Sequence, residues 1–169
     1  MKSLFARNFL IYALVIVLGF TVLGSAFIYQ VNRFALEEKQ QQLSVTSNRA
    51  AQSTLAYFQL RDGADWQDKF NANYRVAMNM LASDCGGTIF VGDEEGKLLF
   101  IATTDGCYNQ EQTGLMLPTV AMQDLLSDGV YTQNSTFYGY LSVISYVMGH
   151  QVSDLNGQVV GVVFVCTVD

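Results

Sequence analysis

A run of 21 residues without a charged side chain, Phe9 to Tyr29, limits the possible structures of this chain more than any other feature. As a helix rising about 1.5 Å per residue the run is about 30 Å long, which matches the hydrocarbon core of a bilayer. Lys2 and Arg7 precede it, and such positive charges favour the cytoplasmic side. The sequence therefore predicts a single-pass cell-membrane protein with a cytoplasmic N-terminus over residues 1–8, a transmembrane helix over residues 9–29 and an extracytoplasmic remainder.

A cleaved signal peptide is the alternative interpretation of the same run. Gly24-Ser25-Ala26 offers the small residues at which a signal peptidase cuts. The apolar run continues past this point through Tyr29, and this continuation favours a membrane anchor. No cysteine follows the run closely, so this stretch offers no lipoprotein attachment site.

Composition excludes several classes of function for the remaining chain, which at about 140 residues is the size of one domain. The whole chain has 9 basic and 15 acidic residues, a net charge of -6, which argues against a nucleic-acid partner. It has one histidine, so neither a metal site nor a cofactor is expected. A phosphate-binding glycine loop and a nucleophile elbow are absent from the sequence, so we do not expect these 169 residues to be an enzyme.

Residues 30–60 lack proline and glycine and are rich in Gln, Glu, Ala and Leu, which predicts a helix continuing out of the bilayer. Leu36, Leu43, Ala50 and Tyr57 recur every seven residues, the spacing of a dimer seam. The intervening core positions are polar, so the helix could instead pack on its own domain. The two interpretations are compatible if the membrane-proximal part pairs and the distal part packs.

A second helix is predicted after Arg61-Asp62-Gly63, from an Asp65 cap to a stop within residues 83–87. Its predicted apolar stripe consists of Trp66, Phe70, Ala77 and Leu81. A third, short helix is predicted from Leu117-Pro118-Thr119 to Leu126, with Gly129 ending it.

Two hairpins complete the predicted elements. In the first, Thr88–Val91 and Leu98–Ile101 flank the turn Asp93–Gly96. Placing Gly92 opposite Lys97 puts four large apolar residues on one face: Ile89, Val91, Leu98 and Phe100. The acidic turn lacks the spacing of an EF-hand, so solvation explains its charges better than calcium binding.

The second hairpin joins Ser142–Val152 to Gln158–Thr167 through Asp154–Gly157. The last strand is apolar on both faces, and this predicts a central position in the sheet. One face is expected to carry Val160, Val162, Phe164 and Cys166. Helices and antiparallel hairpins in this order predict an α+β domain.

Three stretches, in order, carry a resemblance to a known family: Phe90–Leu99, Tyr146–Val152 and Asn156–Val165. They resemble strands and hairpins of the extracytoplasmic PAS-like sensor domains, of the PDC or single-Cache type, found in bacterial two-component sensor histidine kinases. Gln151 departs from the pattern, since such domains often carry proline there. The resemblance implies a five-stranded antiparallel sheet with helices packed on it, a juxtamembrane signalling helix over residues 30–60 and a sensor domain over residues 61–169.

The resemblance also implies a function. The chain would be the signal-sensing input region of a membrane-bound histidine kinase, relaying ligand binding through the transmembrane helix and pairing as a homodimer through the juxtamembrane helix. The kinase domains, and through them a response regulator, would follow in a longer protein. His150 does not resemble the phosphorylated histidine, because it lies in a strand pattern on the outer side. A chemotaxis or cyclic-dinucleotide receptor with the same ectodomain, or a small anchored structural or adhesion protein, are the alternatives.

In PAS-like sensors the ligand pocket lies between the sheet and the segment after the first hairpin, which points here to residues 105–146. Tyrosine offers apolar surface and a hydroxyl, which suits a small, partly polar ligand. Ordinary core packing is the alternative for each tyrosine, and surface hydrogen bonding or pH sensing for His150. The Arg-Trp-Tyr pattern of amino-acid-binding double-Cache receptors is absent, so an amino-acid ligand gains no support. The candidate ligand-binding residues are Asp105, Tyr108, Tyr131, Tyr138, Tyr140, Tyr146 and His150.

Cys85 and Cys107 flank the first hairpin near its open end. In the predicted register Cys85 faces Thr104, and a small bulge would bring the two sulfurs together. Because an extracytoplasmic location permits oxidation, the sequence predicts a disulfide, with two free thiols as the alternative. Cys166 is left over on the last strand, as a small buried apolar residue.

Overall fold

A computed structural model of the protein describes residues 4–60, 67–110 and 113–168. The chain divides into two compact units, Met1–Lys39 and Gln40–Asp169. The elements, in chain order, are α1 (Leu4–Leu60), α2 (Gln67–Cys85), β1 (Gly87–Asp93), β2 (Leu98–Thr103), β3 (Gly106–Asn109), α3 (Thr119–Asp128), β4 (Val130–Ser135), a 3-10 turn (Phe137–Gly139), β5 (Ser145–Ser153) and β6 (Val159–Val168).

The first unit is helical and apolar. Among the described residues, α1 is the one helix that is long and apolar enough to cross a membrane, and its apolar window is entirely exposed. Within the charge-free run, Thr21 Oγ1 donates to Val17 O at 2.8 Å and Ser25 Oγ donates to Thr21 O at 2.7 Å. These bonds satisfy the hydroxyls inside the helix, as an apolar surrounding requires. The predicted helix over residues 30–60 is confirmed, because α1 continues to Leu60.

The second unit is an antiparallel sheet of six strands in the order β3-β2-β1-β6-β5-β4 with helices packed on it, so the predicted α+β class is confirmed. The sheet has one strand more than the five expected. The short edge strand β3 had no sequence prediction, because its four residues show no apolar alternation. The predicted central position of the last strand is confirmed, since β6 lies between β1 and β5.

One sheet face, here called the helix face, packs against α1 and α2. Leu43, Ala50 and Tyr57 of α1 are buried in this core. The prediction that Leu43 and Ala50 lie on a dimer seam is therefore wrong, because the domain's own sheet takes up their surface. Leu36, at 37% exposed, lies in the first unit.

The stripe of α2 differs from its prediction by one position. Tyr74, Met78 and Ala82 are fully buried, whereas Ala77 and Leu81 are half-buried. The predicted stop is confirmed, since α2 ends at Cys85. The remaining predictions for this region concern residues 61–63, Asp65, Trp66 and the Phe70 side chain, which lie outside the described part of the chain.

The register of the first hairpin differs from the predicted one. Val91 pairs with Phe100 and Gly92 with Leu98, with an irregularity between Val91 and Gly92. An inserted residue reverses the faces that follow it. Ile89, Val91 and Phe100 therefore face the helices, while Leu98 belongs to the core on the opposite face. A similar irregularity opposite Val160 turns that residue to the helix face, away from the predicted set of Val162, Phe164 and Cys166.

The predicted Cys85–Cys107 disulfide is wrong for this structure, in which Cys85, Cys107 and Cys166 are all free thiols. Ile89 pairs with Ala102, and Ala102 pairs with Cys107. Cys107 therefore lies two strand spacings, about 9.6 Å, from β1, and Cys85 precedes Ile89 by four residues. Cys85 ends α2, and its carbonyl accepts from Thr167 Oγ1 of β6 at 3.0 Å, three strands from β3, whereas a disulfide needs Cα atoms within about 7 Å. The interpretation of Cys166 as a buried small residue is confirmed.

Candidate functional site

The sheet face opposite α1 and α2, here called the α3 face, carries a cluster of aromatic side chains. Phe137 lies at its centre, with its ring centroid 5.0 Å from that of Phe164 and 5.4 Å from that of Phe90. Tyr131 meets Phe164 edge-on at 5.6 Å, and Tyr140 meets Phe90 edge-on at 5.8 Å. These distances are those of favourable aromatic pairs. The five rings, here called the aromatic cluster, fill the space beneath the segment that follows β4.

That segment, residues 136–144, is here called the covering loop. Phe137 and Tyr138 have φ values of 46° and 55°, and bulky residues in the left-handed region cost about 1–3 kcal/mol each. Burial of the Phe137 ring, which is 0% exposed, recovers about 1.5–3 kcal/mol. The Phe137 N–H donates to Ser135 Oγ at 3.1 Å, and Tyr140 Oη donates to Met116 O. A strained loop held by a few contacts is typical of a functional site.

A glycine makes room for the cluster. Gly149 pairs with Phe164 across β5 and β6. A Cβ atom at Gly149 would lie 2.6 Å from Phe164 Cε1 and 3.2 Å from Tyr131 Cβ. No real Cβ approaches an atom so closely, so the phenylalanine ring lies over the strand because residue 149 has no side chain.

A groove of about 240 Å³ opens at one end of the α3 face, beyond the aromatic cluster. Its floor includes Thr103, Thr88 and Cys166, on the adjacent strands β2, β1 and β6. Its wall is formed by Leu141, Ser142 and Val143 of the covering loop, and this set of lining residues is called the α3-face groove below.

The seven predicted ligand-binding residues fall in three places. Tyr131, Tyr138 and Tyr140 lie together on the α3 face. Burial, followed by a hydrogen bond with Tyr138, raises the pKa of Tyr131 above its ordinary value. Asp105 and Tyr108 are exposed at the β3 edge. Edge strands β3 and β4 are five spacings, about 24 Å, apart, so Tyr108 does not meet Tyr131.

Tyr146 and His150 lie on the helix face. Tyr146 packs against its core, and His150 Nδ1 lies 2.9 Å from Ser47 Oγ of α1. Burial lowers the pKa of His150 below its ordinary value, so the neutral imidazole is favoured. The structure therefore separates these two residues from the tyrosines of the α3 face by the thickness of the sheet.

Other polar contacts reinforce the helix face. Thr54 Oγ1 of α1 lies 2.9 Å from Tyr74 Oη of α2, and burial raises the pKa of Tyr74. Arg75 donates to the Cys107 carbonyl at 2.7 and 3.2 Å, and Asn79 Nδ2 donates to Thr103 O at 2.7 Å. Both helices are thus fixed by side-chain hydrogen bonds as well as by apolar packing.

Sequence reasoning missed the central residues of the α3 face. Phe137 had been passed over in favour of its tyrosine neighbours, although a fully buried phenylalanine organises the loop. Thr88, Ser142 and Cys166 had no predicted ligand role. Alternation along the strands could have placed Thr88 and Cys166 on the same face as Phe90 and Phe164, but only strand pairing places the four side by side.

Comparisons with known proteins yield structural similarity alone. No protein-family model matches the chain, and no similar sequence is found among curated proteins. The ligand-binding domain of Campylobacter jejuni chemoreceptor Tlp3 in complex with L-valine aligns with 12% identity and a TM-score of 0.46, over 81% of this chain and 61% of that one. The sensory domain of the same chemoreceptor with isoleucine bound aligns with 12% identity and a TM-score of 0.46, over 81% and 60%. This chain thus spans about three fifths of these domains, and no binding residue is transferred from them.

Proposed function

We propose that this chain is the signal-sensing input region of a membrane receptor. Residues 9–29 anchor it in the cell membrane with the N-terminus in the cytoplasm, and residues 61–169 form the sensor domain outside. One observation carries the proposal: the same helix, α1, contains the candidate membrane span and supplies Leu43, Ala50 and Tyr57 to the core of the sheet domain. A change in the sheet core therefore acts directly on the helix that enters the membrane.

The polar contacts of the helix face support this role. Ser47 and Thr54 are fully buried on α1, and each meets a polar side chain of another element, His150 on β5 and Tyr74 on α2. Such bonds are directional, so they favour discrete arrangements of packed elements over continuous sliding. A ligand that binds one arrangement of the sheet domain more tightly raises the population of that arrangement, in which α1 and the elements bonded to it, β5 and α2, change together.

The output of the receptor is proposed from the resemblance of Phe90–Leu99, Tyr146–Val152 and Asn156–Val165 to sensor histidine kinases. Kinase domains beyond this chain would pass the signal to a response regulator. A chemotaxis or cyclic-dinucleotide receptor would use the same input region, so the output domain is a separate question from the sensory role.

The sensory role is tested with chimeras. Residues 1–169 are fused to the second membrane helix and cytoplasmic half of a characterised receptor kinase, and in parallel to those of a chemoreceptor. A transcriptional or motility output that responds to added small molecules supports the proposal. A phosphatase that is active only outside the cytoplasm, fused after residue 169, should be active. An inactive fusion, which would place residue 169 in the cytoplasm, contradicts the proposed topology.

Pairing of two chains is proposed for the membrane-proximal part of α1 alone. Because Leu43 and Ala50 are buried in the domain core, a cysteine at Leu36 should cross-link in membranes, whereas a cysteine at Leu43 should not. Cysteine at the neighbouring exposed position Glu38 is the matched control. Equal cross-linking at all three positions would contradict pairing through α1 and would indicate that the helix only attaches the domain to the membrane.

A further inference from the structure

We propose that the α3-face groove is the ligand site of this sensor and that its ligand is a small, uncharged molecule carrying both a hydrogen-bonding group and an apolar body. This inference rests on the proposed sensory function and assigns its site and ligand class. At about 240 Å³ the groove is smaller than the roughly 300–1,000 Å³ of most ligand pockets, so the ligand is smaller than a typical drug.

The groove results from a change of side-chain size along the sheet. Ile101, Phe90 and Phe164 form one row across β2, β1 and β6 on the α3 face. Two residues away on each strand, in the same direction across the sheet and therefore on the same face, lie Thr103, Thr88 and Cys166. A row of small residues directly beside a row of large ones leaves a depression, and this depression is the floor of the groove.

The pairing of β1 with β2 and β6 widens the groove above these small residues. The ladder between β1 and β2 ends at Ile89 and Ala102, whereas the ladder between β1 and β6 continues to Gly87 and Thr167. A Cβ atom at Gly87 would lie 2.0 Å from the Cys166 carbonyl oxygen, so the close approach of β1 to β6 depends on this glycine. The start of β1 is thus held against β6 while its other edge is open beside Thr103.

Hydroxyl groups in the groove have hydrogen-bonding capacity to spare. Ser145 Oγ donates to Val143 O at 3.2 Å, and Thr103 Oγ1 donates to Gly106 O at 3.3 Å. The hydroxyls of Thr88, Thr104 and Ser142 make no hydrogen bond to any described residue, although all three line the groove. Thr88 is half-buried, whereas Thr104 and Ser142 are exposed, so it is the Thr88 hydroxyl that gains most from a ligand that brings a hydrogen-bonding partner.

The charges around the groove select the ligand class. None of the described residues that line it carries a charge. The nearest carboxylates along the chain belong to Asp105, which follows Thr104, to Asp169, which follows Val168, and to Asp84, two residues before Gly86. An anion or a zwitterion would find no cationic side chain among the described lining residues, and a cation would find no carboxylate there. Leu141, Val143 and Val168 offer apolar surface, so a neutral, partly apolar molecule fits best.

The groove also contacts the elements that would transmit binding. Its wall belongs to the strained covering loop, and a ligand there would favour one arrangement of that loop. At its other side, Thr167 Oγ1 donates to Cys85 O at 3.0 Å, and Gln42 Nε2 of α1 donates to Asp84 O at 3.2 Å. Asp84 and Cys85 directly precede Gly86 of the groove, so a single hydrogen bond, from Gln42 to Asp84, links this segment of the groove to α1.

The test uses the full chain in lipid nanodiscs with labelled Thr, Val, Ile and Leu methyl groups. N-methylacetamide, a neutral probe with one donor, one acceptor and two methyl groups, is titrated against methyl resonances. Saturable shifts are expected at Thr88, Thr103 and Val143. The isosteric change Thr88→Val should weaken binding about three- to ten-fold, the range for one lost hydrogen bond. The matched control Thr132→Val, exposed on β4, should leave the affinity unchanged.

A blocking variant makes the site assignment decisive. Cys166→Leu fills the floor of the groove and should abolish the shifts. Ser142→Leu, on the exposed wall, should also abolish them, and it serves as the test if the buried Cys166→Leu change impairs folding. Acetate and methylammonium should give no saturable shift. Saturation by either ion, shifts confined to other methyl groups, or unchanged binding in Ser142→Leu would overturn the inference. A chimera that still signals with a blocked groove overturns the site alone, whereas a groove that binds while every chimera stays silent overturns the sensory function alone.

Discussion

The two faces of the sheet differ in how completely they are packed. The helix face is covered by two long helices, which bury Leu43, Ala50 and Met78 against the sheet and add directional bonds at Ser47 and Thr54. The α3 face has one short helix, an aromatic cluster under a strained loop, and a groove that no side chain fills. Close packing and open, strained structure are thus separated on opposite faces of one sheet, so a change on one face can be measured against a matched change on the other.

The largest expected effect comes from truncating the centre of the helix face. Phe100 is fully buried, with its ring 5.5 Å from both Tyr57 and Tyr74. Phe100→Ala should lower the free energy of unfolding by about 3–5 kcal/mol, because the cavity lies between three packed elements. Urea unfolding of the full chain in detergent micelles, followed by circular dichroism, measures it.

The matched change on the other face is Phe137→Ala. Its loss should be smaller by about 1 kcal/mol, because the covering loop relaxes its left-handed backbone once the ring no longer holds it. Equal losses for the two variants would show that the α3 face is as rigidly packed as the helix face, and would break the comparison.

Gly149→Ala should have the next largest effect. The added methyl group would meet the Phe164 ring at 2.6 Å, so the ring and the aromatic cluster must shift, at a cost of about 1–3 kcal/mol. Methyl spectra should show changes centred on Val147 and Val162 of the α3 face. The control is Ser153→Ala, at the end of β5, the strand that contains Gly149. Gly114→Ala is not used, because the positive φ of Gly114 would itself make that substitution strained. Changes centred on the helix face would contradict this assignment.

Strain in the covering loop is tested by a change that should stabilise the protein. Tyr138 is 48% exposed with a φ of 55°, and asparagine tolerates this conformation better than tyrosine. Tyr138→Asn should raise the free energy of unfolding by about 0.5 kcal/mol. Tyr108→Asn, at a similarly exposed tyrosine in strand β3, should instead lower it, because asparagine is disfavoured in strands. A loss at both positions would mean that the hydrogen bond lost at Tyr131 outweighs any strain relieved at residue 138.

The smallest effect concerns His150 on the helix face. Burial lowers its pKa in the folded protein, so the unfolded chain binds a proton first as the pH falls. The stabilisation is therefore fully present above the unfolded value of about 6.5 and declines as the pH drops from there towards the lower folded pKa. Wild type should lose more stability than His150→Gln between pH 7.5 and pH 5.5. Parallel pH profiles for the two proteins would show that the Ser47 contact is indifferent to protonation.

The sequence by itself determined the three helices of this protein and the four strands of its two hairpins, but not the edge strands β3 and β4. The charge-free run, the glycine-free stretch to residue 60, and the Pro118 and Gly129 boundaries of α3 each depend on residues close together in the chain, so propensity and periodicity were sufficient. The apolar character of both faces of β6 likewise predicted its central place. The α+β class followed from the order of these local signals.

Only the tertiary structure decided what meets what. The irregularity at Val91 and Gly92 moved Leu98 to the other face, and the strand order kept Cys85 apart from Cys107. Strand pairing also distributed the predicted tyrosines among the two faces and one edge of the sheet. It placed Thr88 beside Cys166, which forms a groove that no local sequence pattern predicts. Register and strand order are fixed by packing between residues distant in the chain, where a shift of one residue reverses every side chain. The sequence therefore determined which surfaces exist, and tertiary packing decided which of them became a core, a hydrogen-bonded contact or an open site.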